Sequence, residues 1–95
     1  MTATANVDLD QAWRLDRQVA LRSEPFGALA YHFGTRRLSF LKSRVLLDVV
    51  KTLEQHSSAR EACRAAGVGT DELPRYERAL GSLAEAGMIR PKDER

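Results

Sequence analysis

The stretch EPFGALAYHFGTRRLSFLKS, residues 24–43, decides the fold of this chain. Apolar side chains alternate with other residues on both sides of Gly34 and Thr35, a pair that favours a turn. The alternation predicts one strand over residues 28–33 and another over residues 37–41. We therefore expect this part of the chain to form a β-hairpin that leads directly into a helix.

Each strand of this hairpin is expected to turn one face toward the core. On the second strand, the pattern predicts that Leu38 and Phe40 point inward and that Leu41 points outward. On the first strand, Tyr31 and Phe33 share a face, and we expect them to belong to the core.

A further extended segment precedes the hairpin. Apolar residues alternate at Trp13 and Leu15 and again at Val19 and Leu21, and the interruption between the two pairs predicts either a bulge or a turn. Pro25 begins a turn signal that ends this segment. The strands together predict a three-stranded antiparallel meander with one apolar face.

Helical periodicity replaces the alternation after this meander and predicts three helices. The second and third helices are expected to end at Gly67 and Gly87. A short strand over residues 88–90 would add a wing. The predicted fold is α+β, a three-stranded antiparallel β-meander followed by a three-helix winged helix-turn-helix bundle. Polar residues are the predicted N-caps of the three helices: Ser43, then Ser57 or Ser58, then Thr70 or Asp71.

The composition is that of an ordinary globular domain. The 95 residues are 43% hydrophobic and 29% charged, and the formal net charge of +2 is too small to indicate nucleic acid. Cys63 is the sole cysteine, so no intrachain disulfide forms. With no membrane-length apolar run and no signal-peptide pattern, we expect a cytoplasmic domain that does not enter a membrane. That domain is predicted over residues 11–91, between a flexible tail (1–10) and a charged tail (92–95).

No set of residues points to catalysis or to metal binding. His32 and His56 lie in different predicted elements, and neither has a carboxylate or thiol at ligand spacing. His32 is expected on the outer face of its strand, as a surface residue, and Cys63 as a small buried hydrophobe. We therefore expect no enzymatic activity, no metal and no cofactor.

The helix-turn-helix pattern raises DNA binding by a winged-helix regulator as an alternative function. A recognition helix needs basic and amide side chains on its exposed face. The third helix has Arg75 and Arg78 against four acidic residues within or just before it, a net charge of −2. That sign disfavours nucleic acid.

Peptide recognition is the function class that remains. The strand over residues 37–41 is the last of the meander, so its edge is open to another chain. On the third helix, Arg75, Ala79, Ser82 and Ala86 form a stripe of mostly small side chains that would leave a groove beside this edge. A blunted edge next to a solvated helix face is an equally good explanation of these patterns, and the edge also permits a homodimer.

The opening stretch, extended to Arg22 and Ser23, resembles the mycofactocin peptide chaperones, a family of PqqD-like proteins also called RiPP recognition elements. The resemblance covers the chain from about Trp13 to Pro91, and Ser23 stands where the family has Pro. It implies a PqqD-like fold. It also implies that the protein holds the leader of a ribosomally made precursor peptide and delivers it to a radical S-adenosylmethionine maturase.

The resemblance further implies that the leader adds as a strand beside the third strand and lies against the third helix. The backbone groups of Arg37, Ser39 and Leu41 are expected to pair with it, and Phe40 and Tyr76 to shape its pockets. Four cations are expected to attract its carboxylates: Arg36, Arg37, Lys42 and Arg44. The predicted peptide-binding residues are Arg36, Arg37, Leu38, Ser39, Phe40, Leu41, Arg75, Tyr76, Ala79 and Ser82.

Overall fold

The computed structural model describes residues 7–93, and they form two small antiparallel sheets and a layer of helices. The helices are α1 (Arg44–Thr52), a 3₁₀ turn (Leu53–Gln55), α2 (Ala59–Ala65) and α3 (Leu73–Glu85). The strands are β1 (Trp13–Leu15), β2 (Val19–Glu24), β3 (Gly27–His32), β4 (Leu38–Leu41) and β5 (Ile89–Pro91). The predicted α+β class, with a three-stranded antiparallel sheet and three helices, is confirmed.

The interruption after Leu15 is a turn between two sheets. Strands β2, β3 and β4 form the three-stranded meander, whereas β1 pairs with β5 in a separate sheet. The Asp16 side chain accepts a hydrogen bond from the backbone N–H of Gln18 at 2.8 Å, and its carbonyl accepts one from Val19 at 3.0 Å. These bonds turn the chain out of one sheet and into the other.

The predicted faces of the hairpin are reversed in the structure. Leu41 is fully buried, whereas Leu38 and Phe40 are 54% and 59% exposed. Phe33, which we expected in the core, is 60% exposed, and Tyr31 is only half-buried. Alternation separates the two faces of a strand but does not say which of them is covered when both carry apolar side chains.

Small residues make the covered face. Ala28 and Ala30 on β3 are buried, opposite Leu41 and Ser39 of β4. Their short side chains allow α1 to lie close to the sheet, and α1 supplies the larger apolar side chains of this part of the core. The buried residues of α1 are Leu46, Leu47, Val49 and Val50.

The first two helices begin at predicted caps, and the third does not. The hydroxyl oxygen of Ser43 accepts a hydrogen bond from the N–H of Leu46 at 3.0 Å, and that of Ser58 accepts one from Glu61 at 3.1 Å. The N-cap of α3 is Glu72, whose side chain makes no capping bond, so the prediction of Thr70 or Asp71 is wrong. Residues 69–73 form a turn of their own before α3, in which the N–H of Glu72 donates to the carbonyl of Gly69 at 2.9 Å.

The segment before β1 is packed against α2. Val7 and Leu9 are buried in the core, and the Leu9 carbonyl accepts a hydrogen bond from the N–H of Arg60 at 2.8 Å. The first N–H groups of a helix have no partner inside the helix, so this segment supplies one. Within the described range the chain is therefore packed from Val7 onward, before the predicted boundary at residue 11. Residues 1–6 of the predicted flexible tail lie outside the described range.

The end of the chain is tied down as far as Lys92. Its N–H donates to the Ala12 carbonyl at 2.9 Å, and its Nζ donates to the Glu54 carbonyl at 2.7 Å. Residues 94 and 95 of the predicted charged tail lie outside the described range. Among residues 7–93, no helix has the length and apolar character needed to cross a membrane.

Candidate functional site

A cleft of about 310 Å³ lies between α3 and the junction of β4 with α1. Leu46 and Ala79 give it apolar walls, while Lys42 and Arg75 contribute cationic groups. The cap at Ser43 starts α1 here, and the small side chain of Ala79 leaves α3 with space beside it. The residues that line the cleft are Lys42, Ser43, Leu46, Arg75, Tyr76 and Ala79.

The structure brings part of the predicted site together. Arg75, Tyr76 and Ala79 line the cleft. Ser82, predicted on the same stripe of α3, is exposed and is not among the lining residues. Four predicted residues form β4, and two lie in the turn before it: Leu38, Ser39, Phe40 and Leu41, then Arg36 and Arg37.

Two cleft residues were missed as site residues, for different reasons. Ser43 was recognised as a helix cap, which it is, but that role does not reveal that it also faces a cleft. Leu46 belongs to the apolar stripe of α1, which predicts core and nothing more. Lys42 was expected to attract peptide carboxylates, and the structure places it at the cleft.

Strand β4 is an edge strand of the meander. The N–H of His32 donates to the Arg37 carbonyl at 3.0 Å, which makes this pair a hydrogen-bonded one. Hydrogen-bonded and non-hydrogen-bonded pairs alternate along an antiparallel ladder, so Ser39 and Leu41 direct their backbone groups toward β3. The outward N–H and C=O groups are therefore those of Leu38 and Phe40.

We expected the backbone groups of Arg37, Ser39 and Leu41 to pair with a peptide, and this alternation of hydrogen bonds shows that the expectation is wrong by one residue. The backbones of Gly27 and Leu41 lie close together, which agrees with this alternation. A Cβ atom at Gly27 would lie 2.1 Å from the Leu41 carbonyl oxygen, so that oxygen faces β3 and not the open edge. The groups available to another chain at the open edge belong to Leu38 and Phe40.

A buried polar cluster joins the two sheets. His32, expected at the surface, is 5% exposed, so that prediction is wrong. Its Nδ1 accepts hydrogen bonds from the N–H groups of Gly34 at 3.1 Å and Thr35 at 3.0 Å, and its Nε2 lies 3.4 Å from Asp16 Oδ1. These bonds hold the β3–β4 turn, which the alternation of side chains could not predict.

The carboxylate of Asp16 is the centre of this cluster. Its Oδ2 accepts a hydrogen bond from Nε of Arg90 on β5. Burial opposes ionisation, but the hydrogen bonds from Arg90 and Gln18 outweigh it and lower the pKa of Asp16 below its ordinary value. Through these bonds Asp16 connects the sheet of β1 and β5 to the meander of β2, β3 and β4, so its role is structural.

Cys63 is fully buried on α2, which confirms its prediction as a small buried hydrophobe. Burial raises the pKa of its thiol, so the thiol stays protonated and unreactive. Among residues 7–93, no three His, Cys, Asp or Glu side chains come together as a metal site.

The sequence of this chain matches the Peptide chaperone MftB family over residues 12–90. The chain belongs to that family. Its membership among the mycofactocin peptide chaperones, predicted from residues 22–43, is confirmed. The match includes β4, the cleft and both sheets except Pro91, the last residue of β5.

Curated relatives agree with this assignment. The Peptide chaperone MftB of Mycobacterium ulcerans (strain Agy99) is 56% identical over 86 residues, which cover 90% of this chain and 79% of the relative. The Peptide chaperone MftB of Mycobacterium tuberculosis (strain ATCC 25618 / H37Rv) is 52% identical over 89 residues, covering 94% and 82%. No solved structure matches this chain. A role as a peptide chaperone in mycofactocin biosynthesis follows from the family.

Proposed function

We propose that this protein holds the leader of the mycofactocin precursor peptide as an added strand on β4 and presents it to a radical S-adenosylmethionine maturase. The observation that carries the proposal is the open edge of β4, which runs into the cleft against α3. Family membership supports a peptide as the ligand. Chemistry on the peptide is assigned to the maturase, and this chain acts without a cofactor.

The backbone supplies the affinity in this mechanism. The N–H and C=O groups of Leu38 and Phe40 pair with the leader, which becomes a fourth strand of the meander. Side chains of a strand alternate between its faces, so every second leader residue points toward the cleft. There Tyr76 and Ala79 bound the space that receives it.

Basic side chains near the edge favour an acidic leader. Arg36, Arg37, Lys42 and Arg44 are exposed, and none of them forms an ion pair within residues 7–93. Unpaired cations in this position accelerate the encounter with a negatively charged peptide.

The proposal also includes the domain type, the location and the oligomeric state of this protein. The chain acts as one PqqD-like recognition domain in the cytoplasm, and a homodimer through the β4 edge would compete with the leader for the same backbone groups. The winged-helix DNA-binding alternative gains no support, because α3 carries two arginines and two glutamates and the family is one of peptide chaperones.

Backbone methylation of the leader tests strand addition without altering the protein. A synthetic leader is methylated at one backbone nitrogen at a time, and its affinity is measured by calorimetry. Alternate positions are expected to lose affinity about tenfold, since each loses a hydrogen bond and gains a bulky group at the pairing edge. Intervening positions keep their affinity. A uniform or absent effect across the register would contradict the proposal.

A proline substitution provides the complementary test on the protein. Leu38→Pro removes an outward N–H, so the chain keeps its fold but binds the leader at least about tenfold more weakly. Ser39→Pro is the contrasting variant, because it removes an N–H that faces β3 and destabilises the sheet itself. A folded Leu38→Pro protein with unchanged leader affinity would exclude this edge.

A further inference from the structure

The face of the meander opposite the helices carries a row of apolar side chains. Phe26, Phe33, Leu38 and Phe40 are between 49% and 60% exposed. The rings of Phe26 and Phe40 meet edge to face at 6.0 Å, and those of Tyr31 and Phe33 at 5.4 Å. A contiguous exposed apolar surface of this kind marks an interaction site in a soluble protein.

The ladder joins these two aromatic pairs into one surface. Phe40 lies opposite Leu29, and Leu38 lies opposite Tyr31, all on the uncovered face of β3 and β4. We call this surface the outer face, and it consists of Phe26, Leu29, Tyr31, Phe33, Leu38 and Phe40.

The outer face meets the proposed leader cleft at Lys42. A groove of about 780 Å³ on this face is lined by Phe26, Leu29 and Phe40 together with Arg22, Glu24 and Lys42. Lys42 also lines the cleft against α3. A leader added to β4 lies in the plane of the sheet, so it leaves the outer face uncovered and widens it with its own outward side chains.

The charges at the border of the outer face select its partner. Arg22 and Lys42 line the groove, and Arg36 and Arg37 are exposed in the turn before β4. Among the described residues, Glu24 is the one acid that lines the groove, and it pairs with Arg22 at 2.9 Å. The positive charge of the border therefore comes from Lys42 and the two arginines of the turn. A second copy of this face would bring the same positive charge against it. A protein surface that is apolar at its centre and bordered by carboxylates complements it.

We propose that the outer face is the docking surface for the second protein of the pathway, and that this protein meets it with an apolar patch edged by Asp and Glu. This inference rests on the proposed function, in which the second protein is the maturase. The bound leader completes the surface, because its outward side chains extend the face beyond β4.

Acidic substitutions on the outer face provide the test. Phe33→Glu and, at the other end of the face, Phe26→Glu remove apolar contact and place a negative charge opposite the partner's carboxylates. Binding of the purified maturase is measured by biolayer interferometry with and without leader, and binding of leader by calorimetry. Each variant is expected to lose at least about tenfold in maturase affinity and to keep its leader affinity within about twofold.

Ser57→Glu is the matched control, since Ser57 is exposed in the loop before α2 and the change adds the same charge. It is expected to bind the maturase as the wild type does. Unchanged maturase affinity in both folded face variants overturns the docking surface, and so does a parallel loss of leader affinity, which would make the face part of the leader site. Failure of the wild type to bind leader at all would instead refute the proposed function.

Two further measurements test whether the outer face binds a second copy of this chain or a lipid surface instead of the maturase. Sedimentation velocity shows whether the wild type dimerises and the face variants do not, and flotation tests binding to vesicles of phosphatidylserine and phosphatidylcholine. The proposal expects a monomer at the concentrations of the binding assay and no vesicle binding. A face-dependent dimer or face-dependent vesicle binding, combined with unchanged maturase affinity, would assign the surface to a second copy or to a lipid surface.

Discussion

Leu41 and Ala28 lie directly opposite each other in the ladder between β4 and β3, and neither side chain is exposed to solvent. This pair fixes the orientation of the whole hairpin, since side chains alternate along a strand. Phe40, the neighbour of Leu41, must then point to the uncovered face, where it is 59% exposed. The same alternation sends the backbone groups of Phe40 to the open edge, where the leader is proposed to bind.

Truncation of Leu41 is expected to lower the free energy of unfolding much more than truncation of its neighbour Phe40. Leu41→Ala leaves a cavity between the sheet and the helices and should lower the free energy of unfolding by about 2–5 kcal/mol. Phe40→Ala removes a half-exposed ring and should cost less than about 1.5 kcal/mol. Urea denaturation followed by circular dichroism measures both. A larger loss for Phe40→Ala would restore the orientation expected from the sequence.

Filling the cleft should block the leader. Ala79→Leu adds three carbons to a lining residue of α3 that also packs against the core. We expect leader affinity to fall at least about tenfold, and stability to fall by no more than about 1–3 kcal/mol. Ser82→Leu is the control, because Ser82 is exposed on the same helix outside the cleft. Calorimetry with the leader measures both variants, and equal affinities would exclude the cleft.

Leader association should depend on salt. The cations near the β4 edge are exposed and unpaired within the described range, so their attraction for carboxylates is screened as ionic strength rises. Stopped-flow association rates are expected to fall as salt is raised from about 0.05 to 0.5 M, and Lys42→Ala should weaken that dependence. Lys51→Ala, an exposed lysine at the end of α1, should leave it unchanged. Association rates that do not change with salt would contradict an electrostatic contribution to leader binding.

Acid should weaken the junction between the two sheets. The pKa of Asp16 is lowered in the folded state, so the unfolded chain takes up this proton more readily and protonation favours unfolding. The stabilisation is therefore complete well above the ordinary pKa of 3.8 and is lost as pH falls through the lower, folded-state value. Asp16→Asn should cost about 1–3 kcal/mol at neutral pH and flatten this acid dependence.

Denaturation of both proteins across acidic pH measures that difference. Asp48→Asn is the matched control, because Asp48 is exposed on α1 and forms no ion pair within residues 7–93. If Asp16→Asn kept the acid dependence of the wild type, the ion pair with Arg90 would have no part in it.

Gly27 should not tolerate a side chain. Its φ of +150° is unfavourable for other residues, and a Cβ there would lie 2.1 Å from the Leu41 carbonyl oxygen. Gly27→Ala is therefore expected to cost more than about 3 kcal/mol, the sum of backbone strain and a clash. Gly67 also has a positive φ, but no atom of the described residues lies near its Cβ position, so Gly67→Ala should cost only about 1–2 kcal/mol. Thermal denaturation compares the two, and equal losses would mean that the close approach carries no cost.

Local signals predicted the elements of this fold well. The caps at Ser43 and Ser58 and the left-handed glycines at Gly67 and Gly87 are confirmed, because each depends on a few neighbouring residues. The cap of α3 was wrong because a separate turn over residues 69–73 precedes the helix. The position of the turn at Asp16 was recognisable, but its partner Arg90 lies 74 residues away.

Only those parts of the candidate site that depend on local sequence patterns could be predicted. The stripe on α3 and the edge strand each follow from a local pattern, and the structure places Arg75, Tyr76 and Ala79 in a cleft next to β4. Leu46 gave no signal beyond core packing, since a residue at the rim of a core has the same sequence pattern as one at its centre.

The sequence by itself determined the order of strands and helices, the absence of an intrachain disulfide and the family, because all of these depend on local pattern or on residue identity. Only the tertiary structure decided which face of the hairpin the helices cover. Both faces carry apolar residues, and the small side chains of Ala28 and Ala30 make theirs the one on which helices can pack. That choice left the aromatic face of β3 and β4 uncovered and turned the backbone of Leu38 and Phe40 to the open edge.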